Sequence, residues 1–213
     1  MAFVFISHSK SDRRIKNFFA RTVEEIAGLN PILMEYEKLT HQNAGVVIKR
    51  RIMSFDCKCL IVLIGKRILF PDGYNYSFTH NWVGFEVGVA ACRAIPIIVF
   101  EEDSMDFKEI VEFPIPYLDH YVRYKQDTSD SSYIGMMLKM LSFSIPIPKE
   151  IFPQSIKCTY DHCNAKYFYW NRSRILPERM PCPVCRMLFR PGVDEILTRD
   201  DTTNKHMPAG GAV

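Results

Sequence analysis

The chain has 213 residues, 47% of them hydrophobic and 24% charged, with a formal net charge of +3. That is room for one ordinary domain plus a small module, and too little charge to argue for nucleic acid or an anionic membrane as partner. No apolar run reaches the roughly 18 residues of a membrane helix, and residues 1–7 turn strand-like without a basic lead, so a cytoplasmic protein with no signal peptide is expected. In that compartment the seven cysteines are thiols or metal ligands rather than disulfides.

Phe3-Val4-Phe5-Ile6-Ser7 is a continuous apolar run, suited to a strand buried on both faces. A polar turn follows, His8-Ser9-Lys10-Ser11-Asp12, in which Ser11 or Asp12 is placed to cap a helix. Ile15, Phe18, Phe19, Thr22, Val23 and Ile26 recur at helical spacing up to about Ala27, and Gly28 ends the helix. Residues 31–35 read as a second strand and 37–45 as a polar loop. Residues 44–55 read as a second amphipathic helix with Val47, Ile48, Ile52 and Phe55 inward. Residues 59–64 are the clearest buried strand. The long loop 66–80 carries the turn signal Pro71-Asp72-Gly73, and loops of that length in compact domains are often functional.

Residues 81–92 read as an apolar helix that runs into a β-branched strand at 95–100. One residue stands out there. Glu86 lies four positions after Trp82, so the two share a helix face. A carboxylate in so apolar a helix is costly unless it is paired, solvated or used. It reads either as a glutamate at the wet edge or beside an arginine, or as a group that meets a ligand. Glu101-Glu102-Asp103 reads as an acidic turn, residues 120–124 as an edge strand, and 131–143 as a last helix.

This alternation predicts an α/β fold, a five-stranded parallel sheet with helices on both faces. Ligands in such folds sit outside the carboxyl ends of the strands, which makes loops 8–12, 37–45 and 66–81 the candidates. Neither G-x-G-x-x-G nor a Walker loop is present, so a standard dinucleotide fold or a P-loop nucleotidase is not supported.

Pro146, Pro148 and Pro153 mark a stiff linker, after which the composition changes. Cys158, Cys163, Cys182 and Cys185 follow as C-x4-C, eighteen residues, then C-x2-C. Each pair can present two thiolates to one tetrahedral zinc ion. A module of this size with little aliphatic core needs such a staple, and the pattern resembles a zinc ribbon. With four protein ligands and no open position, the Zn2+ would be structural; His162 is the alternative to Cys163 as ligand. Arg172, Arg174, Arg179, Arg186 and Arg190 make the module basic, which reads as a solvated face or, less favoured, as a nucleic-acid contact. Cys57, Cys59 and Cys92 read as core. The expected domains are 1–145 (α/β), 146–155 (linker), 156–198 (zinc-ribbon-like) and 199–213 (a disordered tail).

Together, the start Phe3-Val4-Phe5-Ile6-Ser7-His8-Ser9, Asp12 at a helix head, the strand at 59–64, Trp82-Val83-Gly84-Phe85-Glu86 as W-x-x-x-E, and the strand after it resemble the TIR domain family over residues 1–145. No single piece is specific; their order and spacing carry the match. The resemblance implies a flavodoxin-like fold. It also implies, for the members that are enzymes, cleavage of the nicotinamide–ribose bond of NAD+ to ADP-ribose or a cyclic isomer in stress or antiviral signalling. Glu86 falls on the family's catalytic position. His8, Ser9 and Lys10 fall where the first loop meets the nucleotide, with Lys10 near a phosphate, though a plain solvated turn fits them as well. Trp82 is either a pocket wall or ordinary packing. The loop between Thr40 and Gly45 matches the family's self-association element, implying a homo-oligomer. The arginine that some members carry at the end of the first strand is missing here.

The chemistry agrees with one carboxylate. Loss of nicotinamide leaves an oxocarbenium-like ribose, a nearby carboxylate stabilises that charge, and the cationic leaving group needs no general acid. Two other functions fit the same residues: a non-catalytic TIR adaptor, and a nucleoside deoxyribosyltransferase-like enzyme, which also uses a glutamate on a comparable fold.

Overall fold

The computed structural model describes residues 2–8, 13–34, 43–64, 77–102, 117–124, 128–142, 154–160, 162–163, 165–170, 180–185, 187–191 and 196–199. The strands β1 (Phe3–Ser7), β2 (Asn30–Leu33), β3 (Cys57–Ile64), β4 (Ile97–Glu102) and β5 (His120–Tyr124) pair in parallel in the order β2-β1-β3-β4-β5. This is one of the common doubly wound orders, and its direction reverses between β1 and β3. The α/β expectation is met.

Two buried clusters show how the helices cover the sheet. Phe3 and Phe5 of β1, Leu60 and Val62 of β3, and Ile97 and Val99 of β4 pack with Ile48 and Ile52 of α2 (Ala44–Ile52) and with Val87 and Ala90 of α3 (Ser77–Arg93). The alternate strand residues, Val4, Ile6, Ile61, Leu63, Ile98 and Phe100, pack with Ile15 and Phe19 of α1 (Arg13–Arg21) and Ile134, Met137 and Leu138 of α4 (Thr128–Ser142). The two-residue period of the strands sorts side chains between these layers.

Several elements differ from the sequence reading. The first helix changes at Thr22 into a π turn, Thr22–Ile26, with Ala27 N–H reaching back to the Thr22 carbonyl at 3.2 Å. Gly28 then takes φ +65, the left-handed value its place after the helix demands. The second helix stops at Ile52, and Phe55, expected inward, is 86% exposed with the Lys58 ammonium 4.9 Å from its ring centre. The helix α3 starts at Ser77, inside the expected long loop. Cys92, expected in the core, is exposed, because it lies seven residues, two turns, after the exposed Phe85. Glu101 and Glu102, expected in a turn, extend β4.

The expected edge strand is an interior one. β7 (Lys166–Trp170) pairs with β5 in parallel, matching Tyr121 with Tyr169 and Val122 with Trp170. The sheet then continues through β6 (Gln154–Cys158), β10 (Ile196–Arg199), β9 (Leu188–Pro191) and β8 (Met180–Pro181) to ten strands. The cysteine module is thus hydrogen-bonded to the α/β sheet. No helix among the described residues is long and apolar enough to cross a membrane. Most of the expected linker and tail, the turn residues Ser9 and Lys10, and most of the two long loops lie outside the described residues; the last two residues of the expected linker open β6, and the first residue of the expected tail closes β10.

Candidate functional site

The helix α3 lies on the sheet through Val87 and Ala90, with Trp82 and Val83 half-buried against the same cluster. Glu86 is on this helix, four residues from Trp82 and four from Ala90, which puts it on the inward face. It is 1% exposed. The wet-edge reading of this glutamate is therefore excluded: its carboxylate is in the layer between helix and sheet. Trp82 meets the Phe85 ring edge-on at 6.0 Å, and Phe85 in turn approaches Gly45, where an added Cβ would sit 3.8 Å from the Phe85 ring. Gly45 is in the first turn of α2, which Asn43 caps by accepting from Val46 N–H at 3.3 Å. The end of the 40–45 loop thus abuts the Trp82–Phe85 pair.

At the carboxyl end of β1, Ser7 is buried and His8 half-buried. These two residues stand at the reversal between β1 and β3, where doubly wound folds bind ligands.

Strand alternation adds two groups that the sequence reading left out. Ile97 and Val99 face α3 while Ile98 and Phe100 face away, so Glu101 faces α3. By the same count along β5, with Tyr121 on the α3 side of the sheet and Val122 and Tyr124 on the other, Arg123 is on the α3 side as well. Glu101 is 1% exposed and Arg123 6%, and the two are register partners on adjacent strands. The signal was present in the sequence. A strand read as far as Glu102 would have made Glu101 an inward carboxylate; reading a turn there hid it.

The cysteine site is a second arrangement. The ligand atoms of Cys158, Cys163, Cys182 and Cys185 all lie within 4.8 Å of one another, and among the described residues they are the one such group. Cys158 and Cys185 sulfurs are 3.8 Å apart, as are those of Cys163 and Cys182. A tetrahedron with metal–sulfur bonds of about 2.3 Å has edges of about 3.8 Å, so the four thiols fit a metal such as zinc. Turns set them in place: Cys163 N–H donates to the Tyr160 carbonyl at 2.8 Å, Cys158 N–H to Ala165 at 2.9 Å, and Cys182 N–H to Met187 at 2.9 Å. Burial pushes the Cys158 thiol up to about 12 and raises Cys182 and Cys185 too. The free thiolates would be unfavourable here, and a divalent cation supplies the charge that offsets this. The exposed His162 leans on Tyr160, ring centres 5.6 Å apart, and stands outside the four-sulfur group. Cys158 and Cys182 are fully buried in the cluster that also holds Tyr121, Val87 and Ala90.

The fold and these two sites define a doubly wound α/β protein with an attached four-cysteine module. No protein-family profile and no curated protein matches the chain. Among solved structures it is similar to the C-terminal domain of glucosamine-fructose-6-phosphate aminotransferase from Francisella tularensis, at 13% identity and a TM-score of 0.33. That match covers 68% of this chain and 35% of the other, so the chain spans about a third of that protein's length.

Proposed function

We propose that this protein cleaves the nicotinamide–ribose bond of NAD+, releasing nicotinamide and either ADP-ribose or a cyclised isomer. The observation that carries the reading is Glu86, a carboxylate 1% exposed on the sheet-facing side of an otherwise apolar helix. Burying a carboxylate is expensive, and function is one of the few reasons to keep it there. Its chemical role is to stabilise the positive charge that spreads over the ribose ring as the bond lengthens. In this reading Trp82 lines the nucleotide site, and His8, Ser9 and Lys10 are assigned to binding the nucleotide, with Lys10 paired to a phosphate. The TIR resemblance, the flavodoxin-like fold it implies and a role in stress or antiviral signalling belong to this same proposal. So does assembly of copies through the 40–45 loop.

The module holds one structural zinc ion on Cys158, Cys163, Cys182 and Cys185, and forms a zinc-ribbon-like unit. A second reading, a non-catalytic adaptor, has one observation in its favour: Val46 is 50% and Phe85 38% exposed beside that loop, an apolar surface suited to contact between copies.

The deciding experiment incubates the purified chain with NAD+ or its etheno analogue and follows nicotinamide. Wild type is expected to release it and Glu86→Ala to lose at least about a hundredfold in rate. No release at high protein concentration with a crowding agent sinks the enzyme reading in favour of the adaptor. Cleavage of deoxynucleosides instead of NAD+ favours the transferase.

A further inference from the structure

The turn between α2 and β3 holds an aromatic ring out in water. Phe55 is 86% exposed. The backbone around it is well tied. Ser54 N–H donates to the Arg51 carbonyl at 3.1 Å and Cys57 N–H to the Ser54 carbonyl at 3.0 Å, while Arg93 binds the carbonyls of Ile52 and Cys57 on either side. A ring left in water adds no burial energy to the fold, so this one is a surface feature presented by an ordered turn. The Lys58 ammonium lies 4.9 Å from its centre.

The outward face of α2 continues the same chemistry. Met53 keeps helical angles, and its N–H donates to the Lys49 carbonyl at 2.8 Å, so helix phase runs on to Met53. At 3.6 residues per turn, Val46 and Met53 lie about 20° apart, with Lys49 to one side and Arg50 to the other, all four within about 100°. All four are exposed, Val46 by 50% and Met53 by 47%, while Ile48 and Ile52 face the core. Residues 49–58 carry the basic side chains Lys49, Arg50, Arg51 and Lys58 against a single acidic one, the half-buried Asp56. The net charge of +3 over the whole chain hides this local excess. An apolar centre flanked by cations is the pattern of a surface that lies on an anionic bilayer, the apolar tips entering the headgroup layer and the cations meeting the phosphates.

We propose that the outward face of α2 and the turn after it form a peripheral docking surface for an anionic lipid bilayer, with Phe55 and Met53 as the inserted tips and Lys49 and Arg50 as the charged contacts. Charge decides against a second copy seated on the same patch, since two-fold pairing would set these cations against each other. Side-chain type decides against nucleic acid, because Val46 and Met53 offer bases nothing to stack on. Phe55 lies two residues before β3, so the surface reaches the amino end of the sheet, opposite the carboxyl ends where the NAD+ site is proposed. The surface stands whether or not the chain cleaves NAD+.

The test is flotation of the full metal-loaded chain with vesicles of phosphatidylcholine alone and of phosphatidylcholine mixed with phosphatidylserine. Binding is expected to the mixed vesicles only, and to weaken as salt is raised. Lys49→Gln and Arg50→Gln should each lose about fivefold in affinity, and Phe55→Ser about tenfold. Phe55→Trp should keep the binding and shift indole emission to the blue when mixed vesicles are added. Arg14→Gln, on the helix that covers the other face of the sheet, should bind as wild type does. Thermal melts confirm that each variant folds, and should Phe55→Ser not fold, the two cation variants and Phe55→Trp decide. Equal binding to both vesicle types, no binding to either, or an equal loss in Arg14→Gln overturns the proposal. So does a loss, in the patch variants, of self-association by light scattering or of binding to a single-stranded RNA while vesicle binding is unchanged.

Discussion

Val122 of β5 and Trp170 of β7 are register partners across a parallel pair of strands, which joins the four-cysteine module to the strand that carries Arg123. The module also buries Cys158 and Cys182 in the cluster that seats α3. A change at the metal site should therefore be felt in the α/β sheet. One zinc ion per chain is expected, lost in Cys182→Ser. Structural zinc contributes on the order of 10 kcal/mol to such modules. Chelation should lower the melting temperature of the whole chain in a single transition and raise hydrogen exchange in β5. Two separate melts, with the α/β transition unmoved by chelator, would show the pairing to be energetically empty.

Arg93, in the last turn of α3, donates from one guanidinium nitrogen to the carbonyls of Ile52 at 3.1 Å and Cys57 at 2.6 Å. It ties α3 to the end of α2 and the start of β3. Arg93→Met keeps much of the stem and leaves these carbonyls without their charged donor. Bonds to charged groups contribute about 1.5–3 kcal/mol, so a loss of about 2 kcal/mol is expected in denaturant unfolding. A change under a few tenths would mean that water replaces the guanidinium without cost.

Two backbone positions should respond in opposite directions. Ala94 ends α3 at φ 56, with Ala94 N–H donating to Ala91 and Ile95 N–H to Ala90. That is the Schellman arrangement, in which glycine is the favoured residue. Ala94→Gly should stabilise by about 0.5–1 kcal/mol, relief of left-handed strain less the entropy glycine adds to the unfolded chain. Gly135 of α4 leaves no room for a methyl group, which would fall inside the Ile26 side chain. Gly135→Ala should destabilise by about 1–3 kcal/mol, as overpacking does. Midpoints of urea unfolding for the two variants, one raised and one lowered, check both.

His120 opens β5 with its imidazole pKa lowered by burial, against a smaller opposing effect of Asp119. A depressed histidine is neutral in the fold, while the unfolded chain takes up its proton at the ordinary value. Its contribution is complete above the unfolded pKa of 6.5 and is lost as pH falls from there toward the lower folded value. His120→Gln removes this dependence. The stability difference between wild type and variant should shrink in favour of the variant as pH drops below about 6.5. A pH-independent difference would mean that the imidazole titrates alike in the folded and unfolded chain.

Much of the architecture was legible because buried parallel strands and amphipathic helices write their periods into the chain. The runs at β1 and β3, the helix carrying Trp82 and Glu86, the stop at Gly28 and the four-cysteine spacing are all local signals. Less legible were features that depend on neighbours. Glu101 and Glu102 look like a turn until Ile64 and Arg123 pair beside Glu101. Residues 120–124 look like an edge until β7 covers it. Cys92 looks like core until helix phase turns it outward with Phe85.

The sequence by itself determined the fold class, the four cysteines that come together and the identity of the one carboxylate in an apolar helix, because spacing along the chain encodes each of them. Only the tertiary structure decided that Glu86 is buried rather than at a wet edge, that Glu101 and Arg123 lie on the same side of the sheet as it, and that the cysteine module extends the same sheet. Those facts follow from which strand lies beside which, and hydrogen-bond pairing between segments far apart in the chain leaves no periodic mark on either one.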